Sequence, residues 1–225
     1  MAPGEVHVWQ LELGRPTDAR AHDVLSSAER RRAAAIAPPQ RRAVWVHSRA
    51  LLRELLGDYL GEDPRALRFQ SGARGKPALA GADGRLRFSL SHSGARALLA
   101  LADGAEVGVD LEVALPGARR LLPLADRVFG AEYAGELAAL TPAERRRSFL
   151  SAWTLQEAQL KCLGLGLAQG RARARGDLWS LALPVGPGAA GALAAEEPPR
   201  ALRCWRRAGP PGEPAPSRAS GVGRR

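Results

Sequence analysis

Twice along this chain a stretch with helical period gives way to short runs of strand character, and that order constrains the fold more than any other feature. Arg41–Leu60 is the first long helix: Val44, His47, Leu51, Leu55 and Leu56 recur at helical spacing, and Gly61 ends it. A short helix over Glu29–Ala37 precedes it, opened by Ser27-Ala28-Glu29 and stopped by Pro38-Pro39. Val6–Leu13 reads as an N-terminal strand. After a loop at Gly72–Pro77, three more runs have strand character: Leu86–Leu90, Ala97–Leu101 and Val107–Glu112. Turns at Ser93-Gly94 and Asp103-Gly104 separate them, which predicts an antiparallel meander.

The second half repeats the order. Arg119–Phe129 and Glu132–Leu140 are amphipathic, and Thr141-Pro142-Ala143-Glu144 is a capping box with proline at the first helical position. The helix it opens runs through Lys161 to Gly164. Leu178–Leu183 and Ala201–Arg206 are the last strand candidates, with Pro184–Pro199 as a loose connection between them. From Gly209 onward Pro, Gly, Ser and Arg dominate, which predicts a disordered tail over 209–225. Helices followed by strands in each half give an α+β class, not a doubly wound sheet. A two-lobed molecule follows, with halves at 1–106 and 107–208 and the Asp110 strand near their junction.

Composition narrows the function classes. No stretch approaches the ~20 apolar residues of a membrane helix, and no basic segment followed by an apolar run opens the chain. Cys162 and Cys204 are far apart and lack zinc spacing, so a reduced, cytoplasmic protein is expected. The formal net charge is +10, of which residues 200–225 carry +6 and the body +4. Such a surface suits phosphorylated ligands, acidic proteins or nucleic acid. Aromatic residues are sparse beside the basic runs, Trp205 apart, which disfavours a nucleic-acid stacking platform. Among thirty-three basic residues only Lys76 and Lys161 are lysines, and both fall in segments that look like sites.

The sharpest chemistry lies in Gly108-Val109-Asp110-Leu111-Glu112 and Trp153-Thr154-Leu155-Gln156-Glu157-Ala158-Gln159-Leu160-Lys161. Asp110 and Glu112 are two apart and share one face of a strand. Glu157 and Lys161 are four apart and stack on one face of a helix. Packed together, three carboxylates and an ammonium make a site for a hard cation such as Mg²⁺ and for phosphate. Phe149, Trp153, Leu160 and Leu163 form a stripe that reads as core, with Glu157 and Lys161 on its flank. Ser89, Ser91 and Ser93 offer no hydrolase elbow.

Together with Phe88-Ser89-Leu90-Ser91-His92-Ser93-Gly94 and Gly75-Lys76-Pro77, these motifs resemble the 4′-phosphopantetheinyl transferases. Length, motif order and spacing are similar to the monomeric, surfactin-synthetase-activating type, over roughly Leu25 to Leu183. The resemblance implies a pseudo-twofold α+β fold with a ligand cleft between its halves. Its implied activity moves the phosphopantetheine arm of coenzyme A onto a serine of an acidic apo acyl or peptidyl carrier protein, releasing adenosine 3′,5′-bisphosphate. By motif, Asp110, Glu112 and Glu157 would hold Mg²⁺, and Glu157 would help deprotonate the serine. Lys161 would bind the pyrophosphate and His92 the 3′-phosphate, with Ser91 and Lys76 lining the nucleotide site. Arg49 and Arg30 resemble the basic residues that hold the 3′-phosphate.

Two departures stand out. Gln156 replaces a lysine usual in the family, and the apolar last strand of its closing hairpin is not evident after Ala201–Arg206. They motivate an alternative, a homologue that binds coenzyme A or carrier protein without turnover. The first departure predicts weaker pyrophosphate or carrier binding with the metal ligands intact. The second predicts an open sheet edge or a tail foreign to the fold.

Overall fold

The computed structural model describes residues 1–13, 19–72, 76–81, 85–113, 118–165 and 178–208. The tail expected to be disordered, 209–225, and the loop residues Arg74 and Gly75 lie outside them. The first half runs β1 (Glu5–Glu12), α1 (Ala19–Asp23), α2 (Ser27–Ala34), α3 (Pro39–Leu60), β2 (Phe69–Ser71), β3 (Pro77–Leu79), β4 (Leu86–Ser93) and β5 (Arg96–Asp103). The second runs β6 (Val107–Glu112), α4 (Ala118–Phe129), α5 (Ala131–Ala139), α6 (Pro142–Cys162), β7 (Trp179–Leu183), β8 (Ala190–Ala195) and β9 (Ala201–Ala208). The class is α+β.

Local sequence explains the helix limits. Ser26 and Glu29 form a reciprocal capping box on α2, as Thr141 and Glu144 do on α6, each arrangement contributing about 1 kcal/mol. Pro39 stands at the first turn of α3, where its missing N–H costs nothing, whereas α2 has already ended at Ala34, short of the Ala37 expected from the proline stop. Gly61 closes α3 at φ 68°, a left-handed cap that a side chain would strain.

Strands β4, β5, β1 and β9 form one sheet in that order, and β6, β8 and β7 another, with a small β2–β3 ribbon beside them. One face of the first sheet packs Leu11, Leu99 and Leu101 on Leu51, Leu52, Leu55 and Leu56 of α3. Its other face packs Val6, Val8, Leu98 and Ala100 on Val107, Val109, Leu111 and Leu193 of the second sheet. The far side of that sheet packs Ala192 and Ala194 on Ala158 and Cys162 of α6. Helix, sheet, sheet and helix therefore lie in four successive layers. Phe149 and Trp153 stack on each other in a side cluster with α4 and α5.

Two expectations are corrected. The meander stops after β5: β6 leaves the β4–β5 hairpin and pairs with β8. The supposed loose connection contains β8, the central strand of the second sheet. Its sequence, Ala-Gly-Ala-Leu-Ala-Ala, is buried on both faces and so shows no alternation. Strand β9 runs parallel to β1 from Glu5↔Ala201 to Glu12↔Ala208 and forms an outer edge of the first sheet, with no strand beyond it among the described residues.

Candidate active site

Gly108 sets the geometry. A Cβ there would lie 2.0 Å from the Ala158 carbonyl oxygen and 2.4 Å from the Cys162 amide nitrogen. Only glycine lets β6 approach the α6 backbone so closely. Alternation along β6 then turns Asp110 and Glu112 toward α6, where Lys161 projects one turn beyond Glu157.

Asp110 is 4 % exposed. Its Oδ1 accepts from Lys161 Nζ at 2.6 Å and from Ser91 Oγ at 2.9 Å, while its Oδ2 is buried with no partner among the described residues. Lys161 thus reaches across to the strand instead of pairing with Glu157 on its own helix, and it also donates to Ser91 Oγ at 2.9 Å. Glu112 Oε2 accepts from Ser93 Oγ at 2.9 Å. Among the described residues Glu157 Oε1, which is buried, has no partner, and neither does Gln156 Oε1.

The electrostatics follow from crowding. Burial first, then the charge of Asp110, pushes the Glu157 carboxyl above its ordinary range, and Lys161 only partly offsets this. Glu112 is likewise pushed up by burial and Asp110, against the Ser93 hydrogen bond and Lys161. Burial, helped by the Lys161 charge, lowers the His92 imidazole, so it is neutral at pH 7.

A cavity of about 390 Å³ opens beside these groups, lined by Arg49 of α3, His92 of β4, Lys76 and Lys161 among others. Four of the sequence candidates thus meet in one space. Arg49 is gripped by Glu29 and lies 4.0 Å from the Phe69 ring centroid, stacked over its face. Arg30 is placed differently: its guanidinium donates to the Leu25 carbonyl at 2.6 Å, tying down the chain before α2, and it does not line the cavity. Lys76 lines it, but its ammonium is held by Glu106 at 2.5 Å and by the Val107 and Cys162 carbonyls at 2.7 and 3.4 Å. Ser91 is buried and is not among the lining residues.

Sequence reasoning passed over Glu29 and Arg53. Glu29 is both the capping residue of α2 and the acceptor for Arg49 and the buried Arg53, whose Nε lies 2.7 Å away. Burial opposes its charge, yet Arg49, the Ser26 amide and Arg53 together hold its carboxyl below the usual range. The capping box marked Glu29 as a helix start. Nothing in the sequence disclosed its second task.

Among the described residues no three His, Cys, Asp or Glu side chains close a ready-made metal cage. The donor set nonetheless fits Mg²⁺. Its oxygens are hard, two are orphaned on Asp110 and Glu157, and the Asp110 charge raises the proton affinity of Glu112 and Glu157. Mg²⁺ commonly binds through one or two carboxylates completed by substrate phosphate and water, not in an all-protein cage.

Residues 106–205 match the family model of the 4′-phosphopantetheinyl transferase superfamily. The chain is 36 % identical over 170 residues to the 4′-phosphopantetheinyl transferase HetI of Nostoc sp., covering 73 % of this chain and 71 % of that protein. It is 34 % identical over 159 residues to the 4′-phosphopantetheinyl transferase AcpT of Salmonella typhi, covering 70 % and 75 %. It is also 28 % identical over 172 residues to a 4′-phosphopantetheinyl transferase of Bacillus subtilis, covering 72 % and 71 %. These likenesses run through the strand and helix that carry the acidic cluster, and the chain belongs to the 4′-phosphopantetheinyl transferase superfamily, enzymes that move phosphopantetheine from coenzyme A to a carrier protein.

Proposed function

We propose that this enzyme is a monomeric, cytoplasmic transferase of the surfactin-synthetase-activating type. It is Mg²⁺-dependent, acts on a serine of an acidic acyl or peptidyl carrier protein and releases adenosine 3′,5′-bisphosphate. The observation that carries this reading is the orphaned Asp110 Oδ2 and Glu157 Oε1 beside Lys161, at the edge of a cavity that also presents Arg49 and His92. Two related halves, meeting after residue 106, would each supply one wall of that cleft.

Asp110, Glu112 and Glu157 would hold Mg²⁺, which supplies charge neutralisation on the pyrophosphate of coenzyme A. Lys161, whose ammonium gives one N–H to Asp110 and a second to Ser91, keeps its third free to donate to a phosphoryl oxygen. Arg49 is rigid, held by Glu29 and Phe69, and supplies fixed positive charge for the 3′-phosphate. His92, neutral, offers one ring N–H as a hydrogen-bond donor there. Glu157, beside Lys161, would take the serine proton, directly or through water, since a serine hydroxyl attacks poorly until a base accepts it. With the leaving nucleotide and the incoming serine fixed in line, little covalent work remains to the protein.

Incubation with an apo carrier protein, coenzyme A and Mg²⁺ tests this by the mass of the carrier. A phosphopantetheine adduct that vanishes in Glu157→Ala supports it. Coenzyme A binding with no adduct in the parent protein supports the alternative, a binding homologue without turnover, for which the orphaned Gln156 Oε1 beside the site is the motive.

A further inference from the structure

Among the described residues β6 is an edge strand of the second sheet, paired on one side with β8. Its other edge faces β4 of the first sheet, and buried backbone N–H groups there need partners. They find side chains instead of a strand. Val109 N donates to Ser89 Oγ at 3.1 Å, Leu111 N to Ser91 Oγ at 3.3 Å and Val113 N to Ser93 Oγ at 3.1 Å. The spacing of two on β4 matches the spacing of two on β6, so the serines form a ladder between the sheets. The upper two rungs also reach carboxylates: Ser91 Oγ donates to Asp110 Oδ1 and Ser93 Oγ to Glu112 Oε2, each at 2.9 Å.

We infer that Ser91 and Ser93 are positioning residues that orient Asp110 and Glu112 for the metal, and that Ser91 is not a nucleotide contact. The inference rests on the Mg²⁺ reading above. A hydroxyl has one proton and two lone pairs. Ser91 spends its proton on Asp110 Oδ1 and its lone pairs on the Leu111 N–H and on Lys161 Nζ. A phosphate oxygen accepts hydrogen bonds, so Ser91 could serve one only by releasing Asp110. The residue is also buried, and it is not among those that line the cavity, although Ser89, Leu90 and His92 are. Meanwhile two donors on Oδ1 fix the plane of the Asp110 carboxylate and leave Oδ2 bare. Partners of this kind behind a metal ligand commonly govern affinity by 10–100-fold.

Three substitutions test this in the full-length protein: Ser91→Ala, Ser93→Ala and, as a rung that touches no carboxylate, Ser89→Ala. Mn²⁺ binding with coenzyme A present, followed by electron paramagnetic resonance, is expected to weaken about tenfold in Ser91→Ala and Ser93→Ala and to hold in Ser89→Ala. Amide hydrogen exchange should quicken about fivefold at Leu111 in Ser91→Ala and at Val113 in Ser93→Ala. The preference for coenzyme A over 3′-dephospho-coenzyme A, as a ratio of kcat/KM, should stay at the parental value in Ser91→Ala. Unchanged Mn²⁺ affinity with a collapsed preference would overturn the inference and make Ser91 a nucleotide contact. If Ser91→Ala does not fold, Ser93→Ala decides by the same Mn²⁺ and exchange readouts. If the parent protein binds no Mn²⁺, the metal reading fails by itself, and unchanged exchange at Leu111 and Val113 would remove the ladder too.

Discussion

Two charged clusters face each other across the cavity, and they are built on opposite plans. Around α2 and α3, Glu29 meets Arg49, Arg53 and the Ser26 amide, while Arg53 also donates to the Pro64 and Leu67 carbonyls. Each oxygen of that carboxylate has a partner. Between β6 and α6, three carboxylates stand beside one lysine that pairs with Asp110, and two of their buried oxygens have no partner among the described residues. The first cluster is finished on folding. The second is left short of positive charge, so its strain is relieved only by something brought from outside.

Substitutions can break that contrast, and the largest effect should come from the scaffold under the unfinished cluster. Gly108→Ala places a methyl group within 2.0–2.4 Å of α6 backbone atoms. The loss should be at least ~3 kcal/mol in urea denaturation, or failure to fold. A variant of parental stability would show that β6 and α6 can separate freely. Next comes Glu29→Ala, which strands the buried Arg53 (2 % exposed) at a cost of about 3 kcal/mol. It should also raise KM for coenzyme A, because Arg49 loses its anchor.

The unfinished cluster should respond with the opposite sign. In ligand-free protein, Glu112→Gln and Glu157→Gln each remove a carboxylate whose neighbours disfavour its charge. Each should raise Tm by about 2 °C while transfer to the carrier is lost. A lower Tm in both would undo the comparison. The pH dependence separates the clusters without mutation. Glu112 and Glu157 have raised proton affinity when folded, so their contribution to stability improves as pH falls from 7 through their raised folded pKa values. Glu29 has lowered affinity, so its contribution is full above the ordinary value of 4.5 and is lost as pH falls through its depressed folded pKa. Stability of the ligand-free protein, followed by denaturant midpoint, should therefore rise on mild acidification before it collapses. The smallest effect is expected for Gln156→Lys, a severalfold gain in transfer as a cation joins the site. Unchanged kinetics would mean that position 156 is neutral.

Much of this arrangement was legible in the chain. The capping box at Thr141 fixed the start of α6 within a residue, and the period-two placement of Asp110 and Glu112 announced their shared face. What failed did so for physical reasons. β8 is nearly all alanine and buried on both faces, so neither alternation nor β-branching marked it. The move of β6 to a second sheet was hidden because hairpin signals report turns and not pairing. Ser89, Ser91 and Ser93 lay in view as alternate polar residues. Periodicity gives a face, but not what the face meets. Arg30 illustrates the same limit: residue type named the chemistry, while packing committed its guanidinium to a backbone carbonyl.

The parallel pairing of β9 with β1 has a temporal consequence. Glu5 finds its neighbour at Ala201, so the first sheet stays one strand short until the ribosome has delivered nearly all of the described chain. Contacts this distant in sequence close slowly, and until then β1 offers a bare edge to any passing strand. Residues 1–103 emerging alone should thus be soluble only with a chaperone's help. A chain truncated before residue 201 should aggregate even though α3, α6 and the whole acidic cluster are present.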